Sequence, residues 1–247
     1  MAKPLLAGNW KMHGTASSAA KLAGELADYS AEKPDMIVFP PYICIPGVVS
    51  VLSRSNIAVG AQNLSHFSEG AYTGEISGQM LADIGCSHVL VGHSERRTHN
   101  AEHSELVAKK FAAAQQSGLV PILCVGETLQ QRQDKLQLQV IKTQIATVIN
   151  VVGLASVCKA IIAYEPVWAV GTGETATPQQ AQQVHGFIRA ELGEQGLDTQ
   201  LLYGGSINAK NAADLFTQPD IDGGLVGGAS LEAKHFMNIA QQINEQK

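Results

Sequence analysis

A glutamate, Glu165, stands at the end of an apolar run and directly before a proline in YEPVWAVGTGETATP (164–178). Two other stretches carry complementary groups. LLAGNWKM places Asn9 and Lys11 behind an apolar run, and HVLVGHSERR does the same with His93 and Glu95. Glycine pairs follow two further runs, Gly204-Gly205 with Ser206 behind it, and Gly227-Gly228. Taken singly, each feature has more than one reading. Lys11 fits an electrostatic clamp, a Schiff-base nucleophile or a solvated lysine. Glu165 fits a general base or a buried ion-pair partner, and a glycine pair fits a phosphate cradle or a tight turn. Taken together, a base, an imidazole, a fixed cation and an anion cradle suit removal of a proton next to a carbonyl, with Lys11 and His93 stabilising charge on the oxygen. Glycine lets backbone N–H groups approach a phosphate closely. No HxH or HExxH spacing occurs, so no metal is expected. The cysteines (Cys44, Cys86, Cys124 and Cys158) form no CxxC and are not placed beside a base.

The elements that must hold these groups recur along the chain. Apolar, β-branched runs lie at 5–9, 36–40, 57–61, 88–92, 120–126, 160–165, 201–205 and 223–228, each the mark of a strand buried on both faces. Helical periodicity lies between them, for example at 17–29, 101–118, 137–153, 178–193 and 232–247. Thr177 before Pro178 reads as a helix start, and Gly118 and Gly153 as helix stops. Alternation without a linker or a composition shift predicts one (β/α)8 barrel domain over 1–247. An open doubly wound sheet also alternates, but no GxGxxG follows the first strand. In a barrel, catalytic groups sit at the C-terminal strand ends, which is where Asn9, Lys11, His93, Glu95, Glu165 and the glycine pairs fall.

A net charge of −5 with no basic stripe argues against a nucleic-acid partner, while leaving room for a small anion held by one lysine and backbone dipoles. The apolar fraction is 45% and the charged fraction 16%, enough for a large core. No apolar run approaches the roughly 18 residues of a membrane span. The N-terminal run is too short for a signal peptide. Widely spaced cysteines read as reduced, and the expected location is the cytoplasm.

The motifs AGNWKM (7–12), GAQN (60–63), GAYTGEIS (70–77), VGHSERR (91–97), CVGET (124–128), AYEPVWAVGTG (163–173), YGGSI (203–207) and LVGGASL (225–231) resemble, in order, those of the triosephosphate isomerase family. The resemblance covers essentially the whole chain. It implies a TIM barrel that interconverts dihydroxyacetone phosphate and D-glyceraldehyde 3-phosphate through an enediolate, without cofactor or metal, in glycolysis and gluconeogenesis. On it, Glu165 is the base and His93 the neutral electrophile. Asn9 and Lys11 contact the substrate, and Glu95 positions the lysine. Gly171, Ser206, Gly227 and Gly228 hold the phosphate, and 167–173 forms a closing lid. It also implies a homodimer in which Thr73, at the tip of a long loop, reaches the partner's site near Lys11. Two other readings remain distinguishable: a barrel aldolase with Lys11 as Schiff base, which borohydride would trap, and a non-enzymatic surface binding protein.

Overall fold

Eight short parallel strands pair in sequence order and close into a barrel. They are β1 (Leu5–Asn9), β2 (Asp35–Phe39), β3 (Ile57–Ala61), β4 (His88–Val91), β5 (Val120–Val125), β6 (Ile161–Tyr164), β7 (Leu201–Tyr203) and β8 (Gly223–Val226). The computed structural model describes residues 3–28, 34–169 and 175–246, the side chains of 244–246 excepted. The helices outside the barrel are α1 (Ala16–Ala27), α2 (Ile45–Leu52), α3 (Gly78–Asp83), α4 (Ser94–His99), α5 (Ser104–Gln116), α6 (Leu129–Gln133), α7 (Gln137–Val152), α8 (Leu154–Cys158), α9 (Pro178–Leu192), α10 (Ala212–Phe216) and α11 (Ala233–Gln246). The expected barrel is therefore the observed one, and the open sheet is excluded by the β1–β8 pairing.

The apolar runs serve two cores. Leu5, Ala7, Ile37, Leu90, Ile122, Cys124, Ile161, Ala163, Leu202 and Leu225 belong to one core, which fills the barrel. Their neighbours Leu6, Val38, Val91, Leu123, Val125 and Ile162 pack outward with the helices. Strand side chains alternate between faces, and the alternation reaches the site. Asn9 continues the inward set of Leu5 and Ala7. Glu165 continues Ile161 and Ala163, Gly204 continues Leu202, and Gly227 continues Leu225. On β4 the parity is broken deliberately: Gly92 has φ +72, a left-handed turn that brings His93 to the barrel mouth.

Helix ends follow their local chemistry. Thr177 caps α9 by accepting the Gln180 N–H at 3.2 Å, Gln180 Oε1 accepts the Thr177 N–H at 2.9 Å, and Pro178 takes the first position. A second capping box, Thr128 with Gln131, starts α6. The helix expected over 101–118 begins only at Ser104, because Ala101 has φ 51 and interrupts it after α4.

Closure depends on a close backbone approach. A Cβ on Gly223 would lie 1.8 Å from the Leu5 carbonyl oxygen across the β8–β1 seam. Backbone in a paired strand cannot yield by that amount. Gly223→Ala is expected to lose at least about 3 kcal/mol of stability or to fail to fold. A loss below about 1 kcal/mol in urea titration would show that the seam is softer than its geometry indicates.

Candidate active site

The C-terminal mouth of the barrel holds a cavity of about 280 Å³ lined by Asn9, Lys11, His93, Glu165, Gly204, Gly205, Ser206, Ile207, Leu225, Gly227, Gly228 and Ala229. This is just under the roughly 300–1,000 Å³ of pockets for drug-sized ligands, so its occupant is a small molecule. Residues from β1, β4, β6, β7 and β8 thus meet as expected. Glu95 stands behind them, ion-paired to Lys11.

Glu165 follows directly on β6 and is 1% exposed. Its backbone N–H donates to the Val125 carbonyl at 2.8 Å, extending the β5–β6 ladder by one bond. Oε2 accepts the Ser94 N–H at 2.9 Å. Oε1 lies 2.9 Å from His93 Nε2 but accepts no aligned hydrogen bond among the described residues. His93 caps α4: its Nδ1 accepts the Glu95 N–H at 3.3 Å. The first N–H groups of a helix have no partner within it. Here two of them are given to the carboxylate and the imidazole, which locks both side chains to one rigid element. An occupied Nδ1 leaves the ring proton on Nε2, facing Glu165. Burial disfavours a charged ring, but the Glu165 carboxylate more than offsets this and holds the His93 pKa above its ordinary value.

Lys11 adopts φ 51, a left-handed backbone that costs a non-glycine residue on the order of 1–3 kcal/mol. Three contacts hold it there. Its N–H donates to Asn9 Oδ1 at 3.0 Å, its carbonyl accepts from Gln62 Nε2 at 2.8 Å, and its ammonium pairs with Glu95. Burial acts to raise the Glu95 pKa, but the hydrogen bond from Lys11 and the charges of His93 and Lys11 lower it overall. An ion-paired ammonium is a poor nucleophile, which disfavours the Schiff-base reading. Cys124 lies in the barrel core, its pKa held well above the usual thiol range by burial and by Glu165.

The glycines divide into roles that sequence did not separate. A Cβ on Gly204 would lie 2.9 Å from Glu165 Cγ, and one on Gly205 would lie 2.2 Å from the Tyr203 hydroxyl. This pair makes room for the carboxylate and for an aromatic ring. A Cβ on Gly227 would lie 3.2 Å from Lys11 Cε, while one on Gly228 would meet open space. Ser206 reaches the cavity, but its hydroxyl donates to the Ala169 carbonyl at 2.8 Å. Gly171, with the rest of 170–174, lies outside the described residues.

Sequence reasoning passed over Gln62, Arg97 and Glu127. Arg97 Nε donates to the Gly92 carbonyl at 2.7 Å and Nη2 to the Cys124 carbonyl at 3.1 Å, tying together the ends of β4 and β5. Glu127 is fully buried, and its Oε1 accepts from Trp168 Nε1 at 2.9 Å, Tyr164 Oη at 3.0 Å and Arg132 Nη1 at 3.2 Å. Arg132 also lies over the Trp168 ring. The short turn Val167–Ala169 is therefore anchored before the undescribed segment begins. Glu127 stands just past β5, so the rule that selected Glu165 selects it too. Among the described residues, no three His, Cys, Asp or Glu side chains converge to hold a metal ion.

The fold and the cavity define a (β/α)8-barrel enzyme with its polar groups gathered at the C-terminal end of the strands. The family model described as "Triosephosphate isomerase" matches residues 4–243. Proteins of that name share 52% identity in Pseudomonas putida (strain W619) and 50% in Stenotrophomonas maltophilia (strain R551-3), over 98% of this chain and 98% of each relative. One from Nitrosomonas europaea shares 51% over 95% of each. The chain belongs to the triosephosphate isomerase family.

The raised His93 pKa has a testable cause. Glu165→Gln removes the carboxylate while leaving burial and the Glu95 N–H in place. The His93 pKa, followed by NMR titration of the ring, is expected to fall below its value in the unsubstituted protein. A pKa unchanged or higher in the variant would show that Glu165 is not what holds it up.

Proposed function

We propose that this chain interconverts dihydroxyacetone phosphate and D-glyceraldehyde 3-phosphate through an enediolate, as an aldose–ketose isomerase that needs no cofactor. Glu165 takes the proton from the carbon beside the carbonyl. The C–H electron pair becomes a carbon–carbon double bond, and the carbonyl pair moves onto oxygen. Glu165 then returns a proton to the neighbouring carbon. The observation that carries this reading is a buried carboxylate oxygen with no aligned hydrogen bond, 2.9 Å from an imidazole Nε2, in a cavity of small-molecule size.

His93 acts as the electrophile. In the unliganded site the Glu165 charge is what raises its pKa. Once that carboxylate turns to the substrate carbon, burial and the Glu95 N–H at Nδ1 both favour the neutral ring, which donates through Nε2. Lys11, held by Glu95, supplies fixed positive charge toward the oxyanion and the phosphate, and the Asn9 amide contacts the substrate. Gly171, Ser206, Gly227 and Gly228 bind the phosphate, with the Ser206 hydroxyl exchanging the Ala169 carbonyl for a phosphate oxygen. Residues 167–173 close as a lid. The Glu127 anchor on Trp168 supports a stiff end about which such a lid swings. Closure excludes water and protects the enediolate from phosphate loss.

The working form is a homodimer, with Thr73 reaching the partner's site near Lys11. Three observations support this. Met12 is 94% and Ile43 82% exposed, both in segments that follow adjacent strands at the barrel mouth. Tyr72 stacks on Phe67 with centroids 3.8 Å apart, which stiffens the loop that carries Thr73. Thr73 itself is exposed. The enzyme is cytoplasmic, in keeping with free cysteines, and takes neither nucleic acid nor membrane as partner. Among the described residues, no helix is long and apolar enough to cross a membrane.

A coupled assay of dihydroxyacetone phosphate conversion tests the reaction directly. Glu165→Asp withdraws the carboxylate by about 1 Å, and kcat is expected to fall by roughly 10²-fold with a smaller change in KM. An undiminished kcat would remove Glu165 from the role of base. Sedimentation at micromolar concentration is expected to give a dimer; a monomer would refute the Thr73 assignment.

A further inference from the structure

The base and the lid anchor hang on neighbouring strand ends, β6 and β5, and one side chain outside the barrel, Gln144, bonds the residue just past β5. Gln144, at the middle of α7, makes a two-way amide pair with Gly126. Its Oε1 accepts the Gly126 N–H at 2.9 Å, and its Nε2 donates to the Gly126 carbonyl at 3.0 Å. Such a pair fixes both the position and the tilt of a single residue's backbone, because both hydrogen bonds fail if the residue rotates.

Gly126 sits where a shift would matter most. A Cβ built on it would lie 1.9 Å from the Glu165 carbonyl oxygen and 3.3 Å from Glu165 Cβ. The backbone of 126 is therefore packed directly against the backbone of the base. The next residue is Glu127, whose carboxylate holds Tyr164, Trp168 and Arg132 and whose carbonyl accepts the Val167 N–H at 3.1 Å. The peptide leaving Gly126 thus sets Glu127, and Glu127 sets the start of the lid. Gly126 lies beyond the last residue of β5, so strand pairing ends just where this support begins.

We infer that Gln144 is a positioning residue for the isomerase reaction, bracing Gly126 so that the Glu165 backbone and the Glu127 anchor keep their places. The inference rests on Glu165 being the base. Gln144 is not among the residues that line the cavity, so its effect is on turnover rather than on binding.

The test compares Gln144→Met, which keeps the length of the side chain and removes both hydrogen bonds, in two backgrounds. In the otherwise unsubstituted protein, kcat for dihydroxyacetone phosphate is expected to fall about tenfold, with KM within about twofold, since small displacements of a reacting group have effects of this order. In a Glu165→Asp background the same change is expected to lower kcat by less than about twofold, because sites that act through one another are not additive. Equal factors in the two backgrounds, a change confined to KM, or an undiminished kcat would overturn the inference. If Glu165→Asp itself leaves kcat intact, the assignment of the base falls and this inference falls with it. If Glu165→Asp lowers kcat and Gln144→Met does not, only this inference falls. Should Gln144→Met not fold, Gln144→Glu, which keeps the acceptor for the Gly126 N–H and loses the donor, is read in the same two backgrounds with the same criteria.

Discussion

Two buried carboxylates at the ends of neighbouring strands, β5 and β6, constrain everything around them. Taking an ionised carboxylate out of water is costed at several kcal/mol even after relaxation, and Glu127 and Glu165 are 0% and 1% exposed. They are compensated differently. Glu127 collects an indole, a phenol and a guanidinium on one oxygen. Glu165 receives one backbone N–H on Oε2 and has a poorly aligned imidazole beside Oε1. The first is a fixed post, and the second is left with an oxygen that has little to give up when a substrate proton is presented. Their separate roles follow from donor count, since the residue type and the burial are the same.

Supplying those donors explains much of the local architecture. Helix α4 is short, yet its first N–H groups serve Glu165 and His93 together. Arg97, from the same helix, ties the ends of β4 and β5 through two carbonyls. Glycines appear wherever the crowding leaves no room for a Cβ: Gly126 against the Glu165 backbone, Gly204 against its side chain, and Gly92 to turn His93 inward. Lys11 shows the opposite economy. It accepts a left-handed backbone, and Asn9, Gln62 and Glu95 together hold it in a conformation that it would not choose alone.

Much of this was legible in the chain before any coordinates. Continuous apolar runs gave the buried strands, their alternation with helical periodicity gave the barrel, and the strand-end rule picked out Asn9, Glu165 and Gly227. The helix start at Thr177-Pro178 followed from cap chemistry alone, whereas the late start of α5 did not, because the left-handed Ala101 has no glycine to announce it. The position of His93 was found by its motif, although the parity of β4 would have turned it the wrong way without Gly92.

What the sequence determined by itself was therefore periodic or local: element type, order, facing and caps, all set by interactions within a few residues. What only the tertiary structure decided was the partnership of groups far apart in the chain. Glycines at 204 and 205 read as an anion cradle or a tight turn, and the fold also needs them as space for Glu165 and Tyr203. The Ser206 hydroxyl donates to the Ala169 carbonyl, a partner 37 residues away in the chain. Glu127 and Gln144 were passed over, one behind a strand and one on a helix. Their importance depends on which side chains arrive within about 3 Å of them, and that is fixed by the closure of the whole barrel, which no short stretch of sequence encodes.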